Sequence, residues 1–167
     1  VEGCQFDTAY HEHYSYLSLT TVQRIFEANG LDVFDVETLS THGGSLRVFA
    51  QRSDRGEFAR GAAVAGVLAE EARAGVASLD FHANFQRQAE RIKDDFVAFL
   101  IGAKRTGRRV CAYGAAAKGN TLLNFAGVRT DLIEFVIDRS PGKQGRYMPG
   151  SRIPIVGESR LRETRPD

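Results

Sequence analysis

The stretch "RRVCAYGAAAKGNTLLNFAG", residues 108–127, decides the fold. Val110 to Ala112 is a short apolar run of strand length, and Gly114 ends it. Three alanines then lead into a helical pattern that carries Leu122, Leu123 and Phe125. The next apolar segment, "LIEFVID" at 132–138, is nearly continuous, as a parallel strand buried on both faces requires. Strand, small-residue turn, helix and strand make a βαβ unit. The expected class is therefore α/β, with a Rossmann-like parallel sheet and flanking helices.

Outward from this unit the punctuation is clear. Residues 139–157, "RSPGKQGRYMPGSRIPIVG", read as a turn-rich loop leading to a last short strand, and "ESRLRE" at 158–163 starts another helix. Upstream, residues 79–106 predict a single long helix, with Phe81, Phe85, Ile92, Phe96, Phe99 and Leu100 largely on one face. "GAAVAGVLAEEARAG" at 61–75 predicts a helix stopped by Gly75. Polar residues 53–60 mark a boundary. Before it, "LDVFDVETL" at 31–39 and "SLRVFAQR" at 45–52 alternate as strands around a Gly43-Gly44 turn. A helix precedes them, with Ser18 or Thr20 as N-cap, Val22, Ile25 and Phe26 on one face, and Gly30 past its end.

The bulk numbers exclude several classes. A net charge of +1 gives no field to gather nucleic acid or an anionic membrane surface, so neither is expected as a partner. No apolar run approaches the roughly 20 residues of a membrane span, and the first residues carry no basic segment followed by an apolar one. Cys4 and Cys111 are far apart and fit no CxxC pattern. A cytoplasmic protein with two thiols is the expectation. The oligomeric state is not legible.

The loop "GAAAKGN" at 114–120 is built to point backbone N–H groups at an anion, with Lys118 adding charge and Asn120 or Thr121 available to cap the helix. Ala116 stands where a dinucleotide fingerprint needs its central glycine, so a plain βα turn with an exposed lysine is the competing reading. Asp138 ends the following strand, near the place of a ribose-binding acid; a solvated strand-end carboxylate is the alternative. Arg139, Lys143 and Arg146 follow closely and fit either a diphosphate contact or a solvated loop. His42 with Gly43 and Gly44 fits a ligand-approaching backbone or a simple hairpin turn.

The densest chemistry lies in "YHEHYSYLS" at 10–18. An extended chain would put His11 and His13 on one side and Tyr10, Glu12 and Tyr14 on the other; a helix would bring Tyr10 to Tyr14 or His13. Histidine takes a proton near neutral pH, and Glu12 is placed to orient one. His42 and His82 are isolated in sequence, so no metal site is expected.

Together, "FDTAYHEHYSYLSLTTVQRIFEANGLDVFDVETLSTHGGSLRVFA", "YGAAAKGNTLLNFAG" and "DRSPGKQGRYMPGSRIPI" resemble the C-terminal part of sugar-type C-methyltransferases. These are S-adenosylmethionine-dependent enzymes that methylate a carbon of a nucleotide-linked keto-deoxysugar. The resemblance covers nearly the whole chain. It implies that residues 1–52 are the tail of a central methyltransferase domain, and that residues 53–167 are a Rossmann-like C-terminal domain stopping before its last strand. The methyl-donor site is then absent, and the chain alone is expected to transfer no methyl group. The resemblance further implies His13 as general base, with Glu12 and Tyr10 as its neighbours. It places His42, Gly43, Gly44, Lys118, Asn120, Asp138, Lys143 and Tyr147 near a nucleotide-sugar substrate. The rival expectation is the dinucleotide-binding domain of an NAD(P)-dependent oxidoreductase, resting on Gly114 and Asp138.

Overall fold

The computed structural model describes residues 3–167. The chain forms two compact units, one of residues 14–85 and one of residues 3–13 with 86–167.

In the first unit, α1 (Leu19–Ala28) is capped by Ser18, whose hydroxyl accepts from Thr21 N. Strands β1 (Leu31–Leu39) and β2 (Ser45–Arg52) pair antiparallel. The register slips between Val33 and Asp35. This bulge explains why β1 does not alternate strictly: it skips Phe34, so that Val33 and Val36 both face inward. Phe34 instead stacks on Phe58 at 4.7 Å. Its carbonyl accepts from Gly61 N at 2.7 Å, which starts α2 (Ala62–Ala74). Leu19, Val33, Val36 and Val64 form the core of this unit.

A contact without any local signal fixes α1. The Glu71 carboxylate, from α2, accepts from Leu19 N at 2.7 Å and from Thr20 N at 2.8 Å and Thr20 Oγ1 at 2.6 Å. It satisfies donors that a helix start otherwise leaves to water. Replacing Glu71 by Ala is expected to cost about 1–2 kcal/mol, the usual price of a lost cap, read from a urea titration.

The long helix expected over 79–106 is broken. Helix α3 (Leu79–Ala83) ends at Asn84, and α4 (Phe85–Arg105) starts after it. Asn84 sits at φ −92°, ψ −4°, outside the ideal helical well. The face of α4 also differs from expectation. Ala89 and Leu100 are buried and Phe96 is half-buried, whereas Ile92 and Phe99 lie to one side and are exposed.

In the second unit, β3 (Ala112–Tyr113), β4 (Val136–Ile137) and β5 (Ile155–Val156) form a parallel sheet in the order β3-β4-β5. Bonds from Glu134 N to Val110 O and from Gly114 N to Ile137 O extend the first ladder beyond these strands. Helix α5 (Ala117–Phe125) crosses between β3 and β4, and α6 (Ser159–Thr164) follows β5. The fold is thus mixed α/β, with a three-stranded parallel sheet and helices. Leu100, Leu123, Val128, Ile133, Val136, Met148, Ile153 and Ile155 fill its core. No described helix is long and apolar enough to cross a membrane.

Candidate functional site

The carboxyl ends of the parallel strands carry most of the polar chemistry. After β3 the chain reverses at Gly114, whose φ of +94° suits a residue without Cβ. Ala116, extended at φ −102°, ψ 156°, is the N-cap of α5 and offers no capping side chain. The caps expected at Asn120 and Thr121 are therefore displaced: both lie inside the helix, because the small alanines let it start earlier. Lys118 is half-buried in its first turn. The Asn120 Oδ1 atom is buried without a hydrogen-bond partner among the described residues.

Asp138, directly after β4, is a junction. Its Oδ2 accepts from Ala115 N at 2.8 Å and Lys143 Nζ at 3.1 Å, and its Oδ1 accepts from Ser140 N at 2.8 Å. Lys143 also donates to Ala115 O at 2.8 Å. These bonds, led by the Ser140 amide and then Lys143, hold the Asp138 carboxyl below the ordinary Asp range. The sign follows: stability from Asp138 is present above its unfolded value and lost as pH falls through the lower folded value. On acidification below about pH 4, the native chain should lose more stability than Asp138→Asn, as measured by denaturant titrations at stepped pH.

At the same edge, Glu158 accepts from Arg139 Nε at 2.8 Å and from the Tyr113 hydroxyl. The bond to Glu158 raises Tyr113, and the bonds from Tyr113 and Arg139 lower Glu158. Tyr113 thus ends β3, while Arg139 and Glu158 each stand two residues past the ends of β4 and β5. Tyr147 is exposed, in a backbone bridge with Pro154.

Tyr10 to His13 adopt neither extended nor helical geometry. They form a turn closed by His13 N donating to Tyr10 O at 2.9 Å, which brings the two rings to a centroid distance of 4.1 Å. His13 Nδ1 lies 2.8 Å from the Thr8 carbonyl. A carbonyl only accepts, so Nδ1 carries a proton in this contact. Thr8 O therefore orients the His13 ring through Nδ1. Glu12 is 3.9 Å from His11 instead, and both are largely exposed. The turn leans on α5: Phe6 meets Phe125 edge-on at 5.1 Å, and Thr121 Oγ1 donates to Ala9 O at 3.3 Å.

His42, Gly43 and Gly44 belong to the unit of residues 14–85 and link β1 to β2, with φ of +55°, +83° and +123°. Ser45 Oγ donates to Thr41 O there, and a cavity of about 430 Å³ opens beside Gly44 and Ser45, lined also by Leu17, Val22, Leu46 and Val48. Among the described residues, no three His, Cys, Asp or Glu side chains gather as a metal ion would need.

Residues 40–167 match the family described as C-methyltransferase C-terminal domain. The chain belongs to that family. It is also 42% identical, over 151 residues, to C-methyltransferase NovU of Streptomyces niveus. That alignment covers 90% of this chain and 36% of the relative, so the chain spans about a third of the length of the curated protein it matches. The family match takes in His42 to Gly44, Lys118, Asn120, Asp138, Lys143 and Tyr147, while Tyr10, Glu12 and His13 precede it.

Sequence reasoning missed Tyr113 and Glu158 within this C-methyltransferase C-terminal domain, and Thr8 ahead of it. The first two had a usable signal, since each stands at or just past the carboxyl end of a strand. Thr8 had none, because it acts through its backbone.

Proposed function

We propose that this chain is the substrate-binding and base-bearing part of an S-adenosylmethionine-dependent C-methyltransferase acting on a nucleotide-linked keto-deoxysugar. The observation that carries the reading is the His13 ring, whose Nδ1 donates to Thr8 O at 2.8 Å, an arrangement in which the neutral ring has its lone pair on Nε2. In the proposed step, Nε2 takes the proton from the carbon beside the sugar ketone. The C–H electron pair becomes the enolate, with its charge on the former ketone oxygen. Tyr10, packed against His13, holds the ring plane and brings a hydroxyl to the same turn. Glu12 contributes charge beside His11.

The sheet of residues 108–157 is read as Rossmann-like, with ligand bound outside the carboxyl ends of its strands. Lys118 and Asn120 of α5, with Lys143 and Tyr147 of the following loop, are the proposed substrate contacts on that edge, and Asp138 orders the loops that carry them. His42, Gly43 and Gly44 are proposed contacts of the other unit. The methyl donor is taken to bind outside these residues. Asp138, the acid placed to meet a ribose, already receives Ala115 N, Ser140 N and Lys143, which weighs equally against a nicotinamide dinucleotide. Cys4 and Cys111 are not joined in a disulfide, which suits a reducing cytoplasm.

The test is donor-independent. The chain is incubated in D2O with a thymidine-diphosphate 4-keto-deoxysugar, and deuterium is followed at the carbon beside the ketone. Uptake above the buffer rate, with resonance shifts at Lys118 and His42, is the expected result. A buffer-level rate with neither residue shifted overturns the reading.

A further inference from the structure

The base-bearing turn has no regular element of its own. It is held by a short 3₁₀ turn, Phe6–Thr8, and by what that turn rests on. Thr8 N and Thr8 Oγ1 both donate to Gln5 O, at 3.1 and 2.8 Å, which fixes the direction of the Thr8 peptide. Phe6 lies edge-on against Phe125 at 5.1 Å, and the Thr121 hydroxyl is shared at 3.3 Å between Ala9 O and Ala117 O. Phe125 and Thr121 are one turn apart on α5, so a single helix face grips the chain on both sides of Thr8.

We propose that Phe6, Thr8 and Thr121 are positioning residues that select the His13 tautomer. By docking the 3₁₀ turn on α5, they aim the Thr8 carbonyl at Nδ1 and keep Nε2 as the proton acceptor. This rests on the reading of His13 as the base. A histidine side chain in water favours the opposite tautomer, with the proton on Nε2. In that form the ring offers a donor where the reaction needs an acceptor. The selection costs the fold no buried charge, since a backbone carbonyl is neutral. It also explains how an exposed histidine on a turn acquires one defined role. The same α5 carries Lys118 in its first turn, so the helix sets both the tautomer and the position of a proposed substrate contact.

The experiment reads the tautomer directly. The full chain, labelled with 15N-histidine, is observed by long-range 1H–15N correlation at a pH where the His13 ring is neutral. The Nδ1–H form should dominate in the native chain. Thr121→Val, which keeps shape and removes the hydroxyl, should move His13 toward the Nε2–H form, and Thr121→Ser should restore it. Phe6→Leu is the second variant and should shift the tautomer in the same direction. Circular dichroism shows whether each variant keeps its fold. Deuterium uptake by Thr121→Val should fall about tenfold in its maximal rate at unchanged half-saturation, as loss of geometry at a general base does. A dominant Nε2–H form in the native chain, or no tautomer change in either folded variant, overturns the proposal. Failure of the base reading looks different: the tautomer moves as stated, but His13→Gln exchanges deuterium as fast as the native chain.

Discussion

Replacing His13 by Gln is expected to slow deuterium uptake beside the substrate ketone by about a hundredfold to ten-thousandfold, the span that a positioned general base contributes. Gln is the informative substitution because it keeps a polar side chain of similar reach while removing the imidazole, whose Nδ1 now donates to the Thr8 carbonyl at 2.8 Å. The turn closed by His13 N and Tyr10 O uses backbone atoms alone and survives the change. What is lost is the nitrogen lone pair, so the variant should bind substrate with little change and fail in the proton step. His11→Gln is the matched control. Its ring is 84% exposed and its charged neighbour is Glu12 at 3.9 Å, an arrangement with little energetic consequence in water. Uptake by His11→Gln should stay within about twofold of native. Equal losses in the two variants would assign the effect to the cluster's charge and remove His13 as the base.

How much of this was legible in the sequence depends on the range of each interaction. Gly30, Gly75 and Gly114 stop or turn their elements because their backbones adopt left-handed angles, a property written in one residue each. The two-residue period of "SLRVFAQR" and the apolar run of "LIEFVID" mark strands for equally local reasons. The bulge at Phe34 is half-legible: the broken alternation is in the letters, but its consequence, a carbonyl turned to Gly61 N, is not. Glu71 capping α1 joins residues 51 and 52 positions apart, and no periodicity announces it. Asp138 shows the same limit. Its place after a strand is legible, whereas its commitment to Ala115, Ser140 and Lys143 follows from three segments meeting. The chemistry of "YHEH" was legible as composition, while its geometry was not. A tight turn pairs Tyr10 with His13, as the three-residue spacing of a helix also would, and leaves Glu12 to His11, which neither strand nor helix spacing gives.

The second large effect is on stability. Gly150→Ala is expected to destabilise the chain by about 2–3 kcal/mol, because two costs coincide. Gly150 has φ of +75°, where a Cβ is strained whatever surrounds it. A Cβ built there would also lie 2.1 Å from Asn124 Oδ1 and 2.8 Å from its Cγ, so the Asn124 side chain must leave. Leaving breaks two bonds from its Nδ2, both 2.9 Å: one to Asn120 O within α5, and one to Pro149 O that ties α5 to the loop. That loop is a structural part of the core. Met148 N donates to Ile153 O at 2.8 Å, and the two side chains are 3% and 0% exposed. Residues 149–152 are the turn that sets this pair in place. Gly142→Ala is the control, since its nearest foreign atom to an added Cβ is Ser140 Oγ at 3.9 Å and it needs no left-handed angle. It should stay within about 0.5 kcal/mol of native. Combining Gly150→Ala with Asn124→Ala separates the two costs: the clash disappears and the backbone strain remains. The double variant should therefore be less damaged than the sum of its parts. Strict additivity in urea titrations would mean that Asn124 never opposed the added methyl, and would leave backbone strain as the whole effect.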